Sequence, residues 1–232
     1  MILSQYCIIY NKFFNDQECE LIHRVAETRE LQEGLIGNIE TDPDAPTESE
    51  GVNDNFIRQS DVRWIEHEIM PAEIQQKITD GINQASIDGN WMHQWDHIEN
   101  HQYTIYNHRP EAEVTGDFYT WHTDASDRVQ PNGKMRKLSS TIQLSEPDEY
   151  EGGELDLRFG DFCISIKLPA GYACMYPTGV IHRVKPVRSG IRKVIHWWDQ
   201  SNVQNPFVRD SIINLSGGTN TDLYTSQLER FC

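Results

Sequence analysis

The sequence predicts an α+β fold in which N-terminal helices support a larger β-rich core. Two amphipathic segments precede residue 90, and after about residue 98 short apolar-alternating runs are separated by Gly, Pro, Asn and Asp. Runs of this length and spacing are typical of a sandwich or a barrel-like double sheet. No linker marks a boundary within the 232 residues, so we expect a single domain over 1–232. Its expected parts are helical support over about 1–98, a β core over about 99–200 and a C-terminal tail over 201–232.

Two segments have the features of helices. Asn15 and Glu18 form a capping-box pattern, and apolar residues then follow at helical spacing, which predicts a helix over about 16–29. Pro71 suits a first helical turn, and isoleucines recur every four residues after it. This periodicity predicts an amphipathic helix over about 71–86 that packs on a sheet.

Between the two helices, residues 30–57 contain eight acidic residues and no Lys or Arg. Together with its prolines and glycines, this composition favours a loop. The loop could be a lid over a cationic substrate or a simple solvated connection, and the composition fits both.

The predicted strands are short and bounded by turn residues. They cover residues 6–10, 101–107, 117–124, 137–145, 153–158, 162–168, 172–176, 180–185 and 191–198. Gly152 and Gly153 indicate a turn between strands, because no helix follows them that could bind a phosphate.

Charge and cysteine content exclude several classes of function. The net charge of −16 repels phosphate backbones, so we expect no nucleic-acid partner. The five cysteines are scattered without a CxxC pair, which indicates buried free thiols in a reducing compartment and neither a disulfide framework nor a zinc site. No signal peptide and no apolar run of the roughly 20 residues that span a membrane is visible. We therefore expect a cytoplasmic chain with no membrane partner; its oligomeric state is not predicted.

A possible metal site is formed by His122, Asp124 and His182. In a strand, residues two apart project from the same face, so the first two could meet one ion. An HxD pair alone is weak evidence, because structural His–Asp pairs are more common. Two imidazoles and one carboxylate, however, are the ligand set of mononuclear non-haem Fe(II), with open coordination positions left for other ligands.

Arg192 follows the second histidine by ten residues. Residues 185–190 resemble a turn, and if it centres near Val187, His182 and Arg192 are cross-strand neighbours beside the metal. A guanidinium matches a carboxylate bidentately, which suits the far end of 2-oxoglutarate.

In these segments the chain resembles a known family. It is similar to the iron(II)- and 2-oxoglutarate-dependent dioxygenases, and within them to the prolyl 4-hydroxylase-like branch. The matching segments are residues 102–106, 118–124, 138–144, 151–155 and 182–192, with a weaker likeness over 14–25. The resemblance implies a double-stranded β-helix, or jelly-roll, core. It also implies that Fe(II), 2-oxoglutarate and O2 are required, and ascorbate could serve beside them.

The resemblance also implies roles for individual residues. Iron would be bound by His122, Asp124 and His182, with Arg192 on the distal carboxylate of 2-oxoglutarate and Tyr106 also reaching the co-substrate. The implied reaction is hydroxylation of an unactivated C–H bond with release of succinate and CO2. No catalytic residue beyond the metal ligands is expected.

The substrate is less well determined. A prolyl residue in a peptide or protein is favoured by analogy alone. A free amino acid or small metabolite, or a non-catalytic jelly-roll binding module, are the alternatives. Trp198, His196 and Tyr119 are candidates for the substrate pocket, although core packing would equally explain the first two.

Three features depart from the family pattern or invite another interpretation. Relatives run almost directly from the tyrosine to the HxD segment, whereas this chain inserts residues 107–117. Many relatives have Lys where this chain has Arg192. His93, His97 and His101 are spaced by four, but the flanking aromatic and β-prone residues argue against a helix that would assemble a second metal site.

Overall fold

The computed structural model describes residues 6–36, 54–110, 116–125 and 132–202. Two antiparallel sheets face each other, and two helices pack on the outer face of the larger sheet. The site described below lies between the sheets.

Both predicted helices are present within a few residues of their expected bounds. Helix α1 spans Asp16–Glu27 and helix α2 spans Ala72–Asp88, with a short 3-10 turn at His67–Ile69 before it. The capping box of α1 is complete, because the Asn15 side chain accepts the Glu18 amide at 2.9 Å and the Glu18 carboxylate accepts the Asn15 amide at 2.7 Å.

Fourteen strands occur in the described residues. In chain order they are β1 Ile8–Tyr10, β2 Gln32–Glu33, β3 Arg58–Gln59, β4 Asp61–Ile65, β5 His97–Ile98, β6 His101–Asn107, β7 Phe118–His122, β8 Lys134–Gln143, β9 Tyr150–Gly152, β10 Leu155–Phe159, β11 Phe162–Ile166, β12 Ala173–Pro177, β13 Ile181–Val184 and β14 Val187–Asn202. The larger sheet has the order β1-β12-β8-β14-β6-β4-β2, with β5 and β9 also paired to β14. The smaller sheet has the order β11-β10-β13-β7-β3.

The larger sheet is buried on both faces. Apolar residues of α1 and α2, such as Ile22 and Ile78, pack against Ile195 and Trp197 of β14 in one cluster. Val194, the intervening residue, belongs to a second cluster between the two sheets. Because successive side chains of a strand point to opposite faces, the even-numbered residues of this part of β14 face the smaller sheet.

The predicted turn at residues 185–190 is wrong. Strand β14 already begins at Val187, and β13 pairs with β10 and β7 in the smaller sheet, whereas β14 pairs in the larger one. Pro186 cannot donate a backbone hydrogen bond, and it favours an extended residue before it. The chain therefore crosses from one sheet to the other, and His182 and Arg192 are not cross-strand neighbours.

The cysteines agree with expectation in part. Cys7, Cys19 and Cys174 are buried free thiols, whereas Cys163 is exposed, because it lies on the edge strand β11. Cys232 lies outside the described residues, as do residues 37–53 of the acidic segment and 203–232 of the predicted tail. Among the described helices, none is long and apolar enough to cross a membrane.

Candidate metal centre

Three side chains that could bind a metal converge at one end of the smaller sheet. His122 is the last residue of β7, and it pairs directly with His182 of β13. Asp124 lies two residues beyond the end of β7, and its amide donates to the Thr178 carbonyl at 3.0 Å. One potential ligand atom from each of the three lies within 4.8 Å of the others. The predicted strand therefore stops short of Asp124, and a backbone contact with another loop positions the carboxylate.

The hydrogen bonds of the two imidazoles determine their tautomers. His122 Nδ1 lies 2.7 Å from the Thr120 carbonyl, and His182 Nδ1 lies 2.9 Å from the Val180 carbonyl. A carbonyl can only accept, so each Nδ1 must donate its proton. Each Nε2 is then left with a free lone pair, at 3.9 Å and 3.5 Å from oxygens of Asp124. Two such nitrogens and a carboxylate oxygen fit a divalent iron ion.

The site also favours the charge states that a metal requires. Burial, reinforced by the neighbouring His182, lowers the pKa of His122 to about 3 and keeps this imidazole neutral. Burial alone would raise the pKa of Asp124, but the two imidazoles and a 2.6 Å hydrogen bond from the Ser139 hydroxyl hold it below its ordinary value. The carboxylate is therefore ionised.

Arg192 and Tyr106 pair directly across strands β14 and β6. The Arg192 side chain is 2% exposed, and its guanidinium carbon lies 5.4 Å from the centre of the Tyr106 ring. Its Nε donates to the Gln143 side chain at 3.2 Å, whereas its Nη1 has no hydrogen-bond partner among the residues that the structure describes. A buried, partly unpaired guanidinium between the sheets can donate hydrogen bonds to a carboxylate. Burial raises the pKa of Tyr106, so it is a neutral phenol.

Of the three candidate pocket residues, Tyr119 lies beside a candidate metal ligand, and His196 and Trp198 lie next to each other on β14. The Tyr119 ring stacks on His122, with 3.5 Å between ring centres. His196, whose pKa burial lowers to about 3, lies 6.3 Å from Trp198 between ring centres. The guanidinium of Arg136 lies 4.0 Å above the Trp198 ring.

Sequence reasoning did not identify two further residues near the site, Arg58 and Ser139. Arg58 is 5% exposed, donates to Gln102 at 2.8 Å, and lies 4.9 Å from the centre of the Tyr119 ring. Ser139 lies in a segment that resembles the family, yet its role depends on meeting Asp124 from another strand. The alternation of β8 could have placed Ser139 on the inner face, but not beside a particular partner.

The inserted segment is held at its base by charged groups. Asp117 is fully buried and accepts from Arg109 Nε at 2.5 Å, and Arg109 also contacts Asp61 at 3.1 Å. Residues 111–115 lie outside the described part of the chain.

The three spaced histidines do not share a helix. Helix α2 ends at Asp88, and His97 and His101 lie in β5 and β6. His101 Nε2 lies instead 2.9 Å from His67 Nδ1.

Known proteins resemble this chain in sequence and in fold. Residues 101–200 match the family model of the 2OG-Fe(II) oxygenase superfamily. A PKHD-type hydroxylase of Synechococcus sp. (strain CC9902) is 39% identical over 103 residues, which are 44% of this chain and 45% of the relative. The match therefore spans about half the length of the curated relatives.

Two solved structures share the fold. A Pseudomonas putida prolyl-4-hydroxylase has a TM-score of 0.59 at 19% identity, covering 86% of this chain and 95% of the other. A Trichoplax adhaerens prolyl hydroxylase, solved with a peptide fragment of the hypoxia inducible factor oxygen degradation domain, has a TM-score of 0.61 at 14% identity, covering 84% and 83%. These likenesses confirm the α+β fold with a jelly-roll core and supporting N-terminal helices.

Proposed function

We propose that the chain is a non-haem Fe(II)- and 2-oxoglutarate-dependent hydroxylase, because residues 101–200 match the family model of the 2OG-Fe(II) oxygenase superfamily. One observation carries the proposal. Two imidazoles with free Nε2 lone pairs and an ionised carboxylate converge between sheets that also bury the partly unpaired guanidinium of Arg192.

The metal and co-substrate would be held by separate parts of the site. His122, Asp124 and His182 would bind Fe(II). Arg192 would bind the distal carboxylate of 2-oxoglutarate, and Tyr106 would also contact this co-substrate. With O2, the bound iron and 2-oxoglutarate supply the oxidising power that inserts one oxygen atom into a C–H bond, and the other oxygen enters succinate as CO2 is released.

The chain's own contribution is positioning and exclusion of water. The Thr120 and Val180 carbonyls fix the tautomers of the two imidazoles, which directs each Nε2 toward the ion. His196 remains neutral above pH 4, since burial lowers its pKa to about 3. Together with Tyr119 and Trp198 it would form the wall against which a substrate C–H bond is placed.

We infer a prolyl residue in a peptide or protein as the substrate. The inference is supported by the prolyl hydroxylases that share the fold and by the PKHD-type hydroxylases that share the sequence. The net charge of −16 favours a basic peptide over a nucleic acid. A free amino acid or small metabolite is the alternative substrate, and ascorbate would be tested as an added reductant.

The first test is formation of the iron chelate. Fe(II) and 2-oxoglutarate are added anaerobically to the full chain, and we expect the visible charge-transfer band of the chelate to appear. His182→Ala and Asp124→Ala should abolish the band, whereas His97→Ala, at an exposed histidine outside the site, should retain it. Absence of the band in the wild type, or its persistence in both site variants, would show that the assignment is wrong.

The second test concerns turnover. Succinate release is measured in air with proline-containing basic peptides, with matched peptides in which alanine replaces proline, and with free proline. Stimulation by the proline peptides alone supports the proposed substrate. Stimulation by free proline alone favours the small-molecule alternative, and a wild type that forms the chelate but releases no succinate under any condition favours a binding module.

A further inference from the structure

Tyr150 and Arg192 are brought together by the pairing of strands β9 and β14. Tyr150 pairs with Gly190, two residues before Arg192, and is 3% exposed. The two side chains meet over Gly153. A Cβ atom on that glycine would lie 3.1 Å from Arg192 Cδ and 3.2 Å from Tyr150 Cε2.

Each of these side chains holds a buried polar atom without a partner. Within the part of the chain that the structure describes, neither Arg192 Nη1 nor the Tyr150 hydroxyl makes a hydrogen bond of normal geometry. Buried polar groups are nearly always hydrogen-bonded in native structures, so two orphaned atoms on adjacent side chains indicate a missing acceptor.

The hydroxyl of Tyr150 is suited to donate. Burial raises its pKa, and the adjacent Arg192 guanidinium, through its charge and a poorly aligned contact with the hydroxyl oxygen, offsets only part of this effect. The group remains a protonated phenol, and such a contact would use its oxygen as acceptor and leave its proton free to be donated. Lys167 contacts the same residue, but it donates to the Tyr150 carbonyl at 2.7 Å and leaves the hydroxyl free.

Nearby carboxylates of the chain are engaged elsewhere. A Glu149 carboxylate oxygen accepts the Glu146 amide at 2.9 Å, and Glu154 lies 3.8 Å from the Lys185 ammonium. Since the described residues provide no acceptor for the two orphaned donors, we take a ligand to be their partner.

We propose that the Tyr150 hydroxyl and Arg192 Nη1 each donate to one oxygen of the distal carboxylate of 2-oxoglutarate, so that Tyr150 is a co-substrate-binding residue. This inference rests on the proposed function, which assigns that carboxylate to Arg192. It adds a donor from β9, and it implies that the site selects 2-oxo acids that have a second carboxylate at the far end.

The experiment compares two ligands that differ only in that carboxylate. Dissociation constants are measured anaerobically with the Fe(II)-loaded full chain, for 2-oxoglutarate and for 2-oxopentanoate, which has the same five carbons but no distal carboxylate. Tyr150→Phe should raise Kd for 2-oxoglutarate about tenfold, as expected for loss of a hydrogen bond to a charged acceptor. Kd for 2-oxopentanoate should remain within about twofold, because the lost donor has no partner in that ligand.

Tyr103→Phe is the matched control. Tyr103 is also buried, but it lies on the helix-facing side of β6, and its hydroxyl lies 2.8 Å from His23 Nδ1. This variant should leave both dissociation constants unchanged.

The outcomes separate the inference from the proposed function. If Tyr150→Phe leaves Kd for 2-oxoglutarate unchanged, the inference alone is overturned. The inference is also overturned if Kd rises equally for 2-oxoglutarate and 2-oxopentanoate, which would indicate that Tyr150 has a packing role. A wild type that binds no 2-oxoglutarate overturns the proposed function together with the inference.

Discussion

Ser139 is expected to control metal affinity without touching the metal. Its hydroxyl donates a 2.6 Å hydrogen bond to Asp124 Oδ2, and a bond of this length to an ionised carboxylate is charge-assisted. Ser139 is 2% exposed, so in Ser139→Ala little water would be available to replace the donor. The carboxylate would then be less well oriented toward the two imidazoles.

The size of the effect follows from the contact. Hydrogen bonds to charged groups contribute about 1.5–3 kcal/mol, and removing a group that orients a metal ligand typically lowers affinity about 10–100-fold. We therefore expect Ser139→Ala to raise Kd for Fe(II) about 10–100-fold, equivalent to about 1.4–2.7 kcal/mol. The assay is an anaerobic Fe(II) titration at saturating 2-oxoglutarate, followed by the charge-transfer band.

The next residue on the same strand provides the control. Ser140 is 1% exposed, its side chain lies on the opposite face of β8, and its hydroxyl has no partner among the described residues. Ser140→Ala should leave Fe(II) affinity unchanged. If Ser139→Ala binds iron like the wild type, or if both variants weaken it equally, the Ser139–Asp124 bond does not orient the ligand.

Three further predictions follow from buried groups. Arg192→Met should raise Kd for 2-oxoglutarate about 100-fold or more, while its Fe(II) affinity is retained. Both are measured by anaerobic titration, and a Kd for 2-oxoglutarate equal to that of the wild type would contradict the assigned carboxylate site. Gly153→Ala should also raise Kd for 2-oxoglutarate, since the glycine has φ 64° and an added Cβ would press on Val187, Arg192 and Tyr150. A Kd equal to that of the wild type would show that the backbone or Val187 moves and that Arg192 and Tyr150 stay in place. Burial raises the pKa of Asp199 from its ordinary 3.8 to about 7, so the folded state loses stability as its carboxyl ionises with rising pH. Asp199→Asn lacks this ionisation. Between pH 5 and pH 8 its free energy of unfolding in urea should therefore rise by about 2–3 kcal/mol relative to that of the wild type. A difference in unfolding free energy that does not change with pH would refute this.

Local patterns predicted much of the secondary structure. The capping box at Asn15 and the isoleucine period after Pro71 predicted both helices, because these signals depend only on residues within a few positions of each other. The eight strands expected after residue 98 are present, but short strands such as β9 were missed. β9 contains only three residues and is defined by its partner, β14.

The chemical types at the candidate site were determined by the sequence alone: two histidines, an aspartate and an arginine at spacings that resemble a known family. Only the tertiary structure decided how they meet. Arg192 pairs with Tyr106 in one sheet and His182 with His122 in the other, contrary to the hairpin expected from residues 185–190. The convergence of Ser139 on Asp124 and of Tyr150 on Arg192 depends on which strands pair. Local periodicity does not predict which distant strands pair. The alternation of apolar and polar residues specifies which face of the sheet a side chain occupies, but not which strand lies next to it.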